Sequence, residues 1–319
     1  MRDACFRTDL RLRLCVGVVV AVGATAVVPS LVPEVADATF PGDAGKIAFR
    51  SFETFHASLR TVDPRSRELG RIRPECPGRT CEYLQPAWSP SGKRLAFYRG
   101  VIRPCCTEEL VVSRADGSDA RRVASDLHCA AWSPGGRRLV AVGGEGSGPR
   151  PAGIYVISIS GSRRRLVVRN RGGNCPDWSS RDRIAFTRFY RRTPQSPNSF
   201  DIITVRPAGD GLKRLTRDGR SVSPSWSPHG SKIAYTRYGK RGGIWVMNAD
   251  GSGKHQIAAR RGEPGSPVWS PDGQRIAFVR RQSIFVIRSD GSGRLRRIRR
   301  AETELPSPLS DLAWQPRLP

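Results

Sequence analysis

The sequence predicts an all-β fold, a six-bladed β-propeller of four-stranded blades closed by pairing its N- and C-terminal strands. Three observations predict it. Tryptophan recurs at Trp88, Trp132, Trp178, Trp226, Trp269 and Trp314, at spacings of 44, 46, 48, 43 and 45 residues. Each of the first five is followed by the same series of short β-rich segments, broken by Gly, Pro, Asp and Ser. The third observation concerns the ends. "GKIAFRS" (Gly45 to Ser51) reads as a second strand with no Trp strand before it, and "LAWQP" from Leu312 reads as a first strand with no successor.

The first strand of each unit ends in Trp-Ser, as in "PAWSPSGKRLAF" from Pro86, "AAWSPGGRRLVAV" from Ala130, "PSWSPHGSKIAYT" from Pro224 and "PVWSPDGQRIAFV" from Pro267. A Pro-x-Gly turn leads into the second strand; "PDWSSRDRIAFT" at Pro176 is a worn copy. The third strands are "ELVVSR", "GIYVIS", "DIITVR", "GIWVMN" and "SIFVIR", and a Gly-containing turn then leads to a short fourth strand. In the first blade, "SLRTVD" and "LGRIRP" take these places. A four-stranded unit recurring at about 40–45 residues is the signature of propeller blades, and a helical apolar period over eleven or more residues is nowhere seen. Leu312–Pro316 is expected to supply the innermost strand of the blade begun at Gly45, which removes the exposed sheet edges.

The segments "PVWSPDGQRIAF" and "IWVMNADGSGKHQIA" resemble the TolB-like, WD-repeat-like propeller repeat, and the resemblance extends over residues 45–316. It implies the propeller fold. It implies little about function, because such repeats serve in many binding proteins and also form the gating propellers of prolyl-oligopeptidase-type enzymes.

Residues 1–38 read as an export signal ahead of the propeller at 39–319. Arg2, Arg7, Arg11 and Arg13 form a basic start, and Leu14–Val28 is uncharged but short for a membrane span. Ala36-Asp37-Ala38 fits a small-x-small cleavage site, placing the cut after Ala38. No later stretch is long and apolar enough to cross a bilayer, so the expected product is an extracytoplasmic monomer without a transmembrane span: periplasmic, wall-associated or secreted.

The formal net charge is +26, carried mainly by arginine spread along the whole chain. Nucleic acid is the usual partner of so basic a protein, but export disfavours it. An anionic envelope polymer or lipid headgroup is the alternative. Export also changes the reading of the cysteines. Cys76, Cys81, Cys105, Cys106, Cys129 and Cys175 are expected to form structural disulfides, with Cys76–Cys81 a local bridge and the others cross-linking neighbouring loops. Six cysteines allow fifteen pairings, so the connectivity stays open.

Catalytic signatures are absent: no Gly-x-Ser-x-Gly, His-Glu-x-x-His or Gly-x-x-x-x-Gly-Lys-Ser/Thr occurs. The Asp-Gly pairs at Asp116, Asp210, Asp250 and Asp290 lack the ligand spacing of a calcium loop and read as hairpin turns; no metal or cofactor is expected. Alternating strand direction puts the inter-blade loops and the second-to-third-strand loops on one face. These loops vary in length and carry all six cysteines beyond the signal. They include Phe52–Ser58, Pro74–Gln85, Gly100–Glu109, Gly143–Gly153 and Arg188–Phe200.

Binding residues favour variable loops on rigid scaffolds. The expected function is therefore non-enzymatic binding of a protein or cell-envelope partner through this loop face and the channel mouth. Glu82, Tyr83, His128, Asn174, Asp177, Ser223, Glu263 and Asp311 are the candidate contacts. Two alternatives stand beside it: a propeller lyase or hydrolase using channel carboxylates, and a basic module adhering to envelope polyanions.

Overall fold

The computed structural model describes residues 40–53, 56–77, 80–103, 107–144, 151–170, 175–190, 199–259, 262, 264–300 and 310–317. The signal and its cleavage site lie outside the described residues. Blade 1 begins with β1 Asp43–Glu53, β2 His56–Val62 and β3 Leu69–Ile72. Blade 2 is β4 Thr80–Trp88, β5 Arg94–Arg103, β6 Thr107–Arg114 and β7 Arg121–Ser125, and blade 3 is β8 Leu127–Trp132, β9 Arg138–Gly143, β10 Gly153–Ser158 and β11 Arg164–Arg169. Blade 4 is β12 Asp177–Trp178, β13 Ile184–Tyr190, β14 Ser199–Val205 and β15 Lys213–Arg214, and blade 5 is β16 Ser221–Trp226, β17 Lys232–Arg237, β18 Gly243–Asn248 and β19 His255–Ala259. Blade 6 is β20 Gly265–Trp269, β21 Arg275–Arg280, β22 Ser283–Arg288 and β23 Arg296–Arg300; β24 Ser310–Arg317 returns to blade 1. The sheet orders are those of a six-bladed propeller, with β24-β1-β2-β3 as the blade shared by the two ends of the chain. Ile47 pairs with Trp314 and Asp43 with Arg317.

The second strands explain the packing. "IAF" and its variants alternate large, small, large, and all three positions are buried because each sheet is covered on both sides by neighbouring blades. Ala48, Leu59 and Ile72 of blade 1 meet Trp88, Leu95 and Phe97 of blade 2 in one cluster. Ala234 of blade 5 likewise meets Trp269, Ile276 and Phe278 of blade 6, and Ala185 of blade 4 meets Trp226, Ile233 and Tyr235 of blade 5. The bulky face of each of these blades fills the alanine face of the blade before it, which is how interiors reach crystal-like density. The six repeat tryptophans are all buried. Their indoles also tie blades together: Trp132 Nε1 donates to Ala87 O at 2.9 Å and Trp269 Nε1 to Ser225 O at 3.1 Å.

The Ser-Pro-x-Gly turns repeat one hydrogen-bond pattern. In blade 2, Gly92 N donates to Ser89 O, and Ser89 Oγ accepts from Arg94 N. Gly92 has φ of 66° and lies against blade 1, where an added Cβ would sit 1.9 Å from Pro316 O. In the worn copy Asp182 takes the glycine position with φ of 54°, and its carboxylate accepts from Trp178 Nε1 at 2.8 Å. The Asp-Gly pairs form the expected turns: Asp116 Oδ1 accepts from Ser118 N at 2.9 Å, and Asp250 Oδ1 from Ser252 N at 2.9 Å.

Several segments expected as loops are largely strand. β1 and β2 extend through most of Phe52–Ser58, β5 and β6 through most of Gly100–Glu109, and β13 and β14 enter Arg188–Phe200 from both ends. Once a hairpin is seeded, its ladder continues past the apolar core as long as backbone partners remain, so polarity alone marks the strand ends poorly.

Candidate functional site

The inner strands share a feature at the third residue before each tryptophan. Gln85, Cys129, Ser223, Ser266 and Asp311 all have positive φ, between 52° and 57°. At each the pairing with the second strand slips by one residue, between Leu84 and Ala87 in blade 2 and between Val222 and Ser225 in blade 5. The slip is a β-bulge. Left-handed backbone at a non-glycine residue costs on the order of 1–3 kcal/mol and persists only where its surroundings over-determine it. Cys175 occupies the same position in blade 4.

The surroundings here are links from blade to blade. Asp311 Oδ2 accepts from Gln85 N at 3.3 Å, and Gln85 Oε1 accepts from Cys129 N at 2.9 Å. Cys129 is joined to Cys175 by a disulfide, with Cα atoms 4.9 Å apart. Thr187 Oγ1 of blade 4 accepts from Ser223 N at 3.1 Å. Side chains at one repeat position thus stitch blade 1 to blade 2, 2 to 3 and 3 to 4, and a neighbouring threonine continues to blade 5. Arg50 Nε lies 3.6 Å from Asp311 Oδ2, adding a cation to this rim.

The expected contact residues fall into three groups. Glu82, Tyr83 and His128 are half-buried on inner strands. The Tyr83 hydroxyl donates to Pro74 O at 3.1 Å, its ring meets Phe97 edge-on at 5.8 Å, and burial raises its pKa. Ser223 and Asp311 are buried in the bulged rim. Asp177 requires a correction: it is fully buried and faces no partner. Its Oδ1 accepts from Trp178 N at 2.8 Å and its Oδ2 from Trp226 N at 2.5 Å, so the carboxyl clamps blade 4 to blade 5. Burial raises its pKa to about 8, against the lowering effect of those two backbone donors. Asn174 and Glu263 lie outside the described residues, as do Cys105 and Cys106.

Cys76 and Cys81 are joined, with Cα atoms 5.7 Å apart. The chain just before Cys76 is pinned by Tyr83, through Pro74 O, and by Arg99, whose Nη1 donates to Glu75 O at 2.9 Å. Arg99 also holds Glu109 through Nε at 2.9 Å and Nη2 at 2.6 Å, a buried pair missed by residue-type searching. On the same side of blades 4 and 5, arginines cover rings: Arg214 over Tyr190 at 4.7 Å and Arg237 over Trp245 at 5.2 Å. Gln85 and Ser266 were also missed. Both stand three residues before a repeat tryptophan, and that fixed offset is the sequence signal that marks them.

Chemically, the rim can present polar groups from a braced scaffold, but it does not bring two carboxylates together among the described residues. Asp177 has both oxygens engaged, and Asp311 stands on blade 1, across the ring. No group of three or more His, Cys, Asp or Glu among the described residues could hold a metal ion.

Comparison with known proteins gives these features a family. The TolB beta propeller domain family matches residues 27–263. The chain belongs to that family. A TolB relative, the Tol-Pal system protein of Bordetella pertussis, is 30% identical over 176 residues, covering 53% of this chain and 38% of that protein. The chain therefore spans well under half the length of this TolB. The crystal structure of TolB from Acinetobacter baumannii superposes with a TM-score of 0.70 at 18% identity, over 87% of this chain and 68% of that one. An oligogalacturonate lyase in complex with manganese shares the propeller at a TM-score of 0.51 and 14% identity, over 81% of this chain and 74% of that one. At such identities the likeness to both solved structures is one of fold.

Proposed function

We propose that this TolB-family propeller is an exported, non-enzymatic scaffold that binds a protein of the cell envelope on its loop face. The observation carrying this reading is the rim itself: five strained bulges, a cross-blade disulfide and a chain of side-chain links keep the inner-strand mouth in one shape. Preorganisation of this kind lowers the cost of binding. Export is supported by the N-terminal signal pattern and by the two disulfides, which persist in oxidising compartments. The Tol-Pal name of the family's relatives favours a protein partner over a sugar. The lyase or hydrolase alternative is weakened because Asp177 is committed to the wall and has no neighbouring carboxylate to share a proton.

The test is site-specific photocrosslinking in the exported protein. A crosslinker at Glu82 or His128 should capture one discrete envelope protein, and the same probe at Arg297 on the outermost strand of blade 6 should not. Equal capture from both positions, or none from Glu82 and His128, would remove the loop-face reading.

A further inference from the structure

The opposite face, made by the first-to-second-strand turns, carries a charge pattern that the loop face does not explain. The residue directly before the second-strand isoleucine or leucine is basic in every blade: Lys46, Arg94, Arg138, Arg183, Lys232 and Arg275. The turns bearing these cations touch their neighbours. A Cβ on Gly136 would lie 3.6 Å from Pro90 Cδ, one on Gly230 3.1 Å from Arg181 Cγ, and one on Gly273 3.8 Å from Pro228 Cδ. Gln315 Nε2 of blade 1 donates to Gly92 O of blade 2 at 2.9 Å. The turns thus form a collar at the inner end of the blades, with a cation on each.

The collar is not neutralised from within. Arg94, Arg138 and Lys232 are exposed, and among the described residues no carboxylate pairs with them or with Arg275. The aspartates of the nearby turns accept from their own backbone, Asp272 from Gln274 N at 2.9 Å and Asp116 from Ser118 N at 2.9 Å, but keep their charge. Asp63 lies in the field of Lys46 and Asp210 in that of Arg183, so the collar cations without a carboxylate partner are those of blades 2, 3, 5 and 6. Two blades go further and set like charges directly opposite one another, Arg94 against Arg114 and Arg275 against Arg288. Such cross-strand pairs are destabilising in isolation, and an external anion between them would reverse the sign.

We propose that this collar is a second binding surface, separate from the loop face, and that it takes a polyanion bearing repeated phosphate groups. Guanidinium forks match phosphate oxygens two at a time, and a ring of separated cations matches a chain of charges better than a single ion. A bilayer surface fits less well. Lasting attachment to lipid calls for apolar insertion as well as charge, and the one exposed large hydrophobic residue among the described residues is Leu212.

The test uses the whole exported protein and fluorescently labelled inorganic polyphosphate, titrated over a range of salt concentrations. One variant combines Arg94→Gln, Arg138→Gln and Lys232→Gln. A second, Arg121→Gln, Arg297→Gln and Arg300→Gln, removes the same charge from exposed positions on the outermost strands. The collar variant should bind at least roughly tenfold more weakly, with the slope of log affinity against log salt reduced by about 3. The rim variant should stay near the parent. Urea midpoints of each single substitution establish that the fold is kept, and Arg94→Gln alone should already reduce the salt slope.

Equal loss in both triple variants would reduce the effect to net charge and overturn the site. So would a folded parent that fails to bind polyphosphate at about 0.15 M salt, where surface charges are screened beyond ~8 Å. Binding to phosphatidylglycerol vesicles but not to polyphosphate would make the collar a lipid contact, which also overturns the proposal. A crosslinked loop-face partner that survives the collar variant would show that the two surfaces act separately.

Discussion

Asp177 makes the stability of the propeller fall with rising pH, the reverse of most carboxylates. It is fully buried between blades 4 and 5, and burial holds its pKa at about 8, against 3.8 for the free side chain. The folded state therefore keeps a proton that the unfolded chain releases, and stability declines as pH rises from about 4 through 8. The slope is about 1.4 kcal/mol per pH unit, or about 4 kcal/mol between pH 4 and pH 7.

Asp177→Asn removes the titration but leaves an amide N–H₂ facing one of two backbone donors, at Trp178 and Trp226, which costs about 1–3 kcal/mol at every pH. The variant should be the more stable of the two at pH 8, and its advantage should shrink by about 4 kcal/mol on going from pH 8 to pH 5. Urea unfolding followed by tryptophan fluorescence, at intervals from pH 5 to pH 8, measures both. Taking the difference between the two proteins cancels the groups they share. A constant difference across that range would show that the two backbone donors outweigh burial and that the carboxylate is ionised in the fold.

Removing the inter-blade bridge with Cys129→Ala and Cys175→Ala should lower stability by about 4 kcal/mol, because it closes a loop of 46 residues, against about 2 kcal/mol for Cys76→Ala with Cys81→Ala. Urea midpoints of the two pairs give the order. Arg99→Met should cost about 3 kcal/mol by leaving buried Glu109 only the longer contact to the exposed Arg122 at 3.7 Å, and adding Glu109→Leu should recover most of it. A double-mutant cycle by chemical denaturation checks this. Gly92→Ala should destabilise by more than the ~1 kcal/mol usual for such a change at positive φ, since its Cβ would overlap Pro316 O; thermal unfolding reads the shift. Each of these outcomes tests packing or linkage at a named contact and requires no ligand.

The blade count and the closure were legible because tryptophan spacing and the "IAF" alternation report packing that every blade repeats. The site was less legible. Glu82 and His128 stand on the inner strands, but Asp177 looks like a ligand in sequence, a carboxylate just before an inner-strand tryptophan. Its destination is set by where the neighbouring blade places Trp226 N, and no local pattern encodes that distance. The bulge at the third residue before tryptophan is similarly hidden, because glutamine, cysteine, serine and aspartate share no residue type. They share only a backbone state and a neighbour. The strand extensions past Phe52 and Gly100 escaped notice because ladder hydrogen bonds ask nothing of side-chain polarity.

The pairing of β1 with β24 has a consequence for how the molecule is made. The earliest blade to leave the ribosome is the last that can be finished, since Asp43–Glu53 must wait for Ser310–Arg317 to arrive. Until then its inner edge stands open, bare backbone groups that could recruit the wrong strand. Assembly of this protein therefore has an obligatory final event, and a stop between Arg300 and Ser310 leaves a product with five finished blades and a sticky remnant. A holding chaperone, or rapid degradation of truncated chains, would be needed most by that first blade.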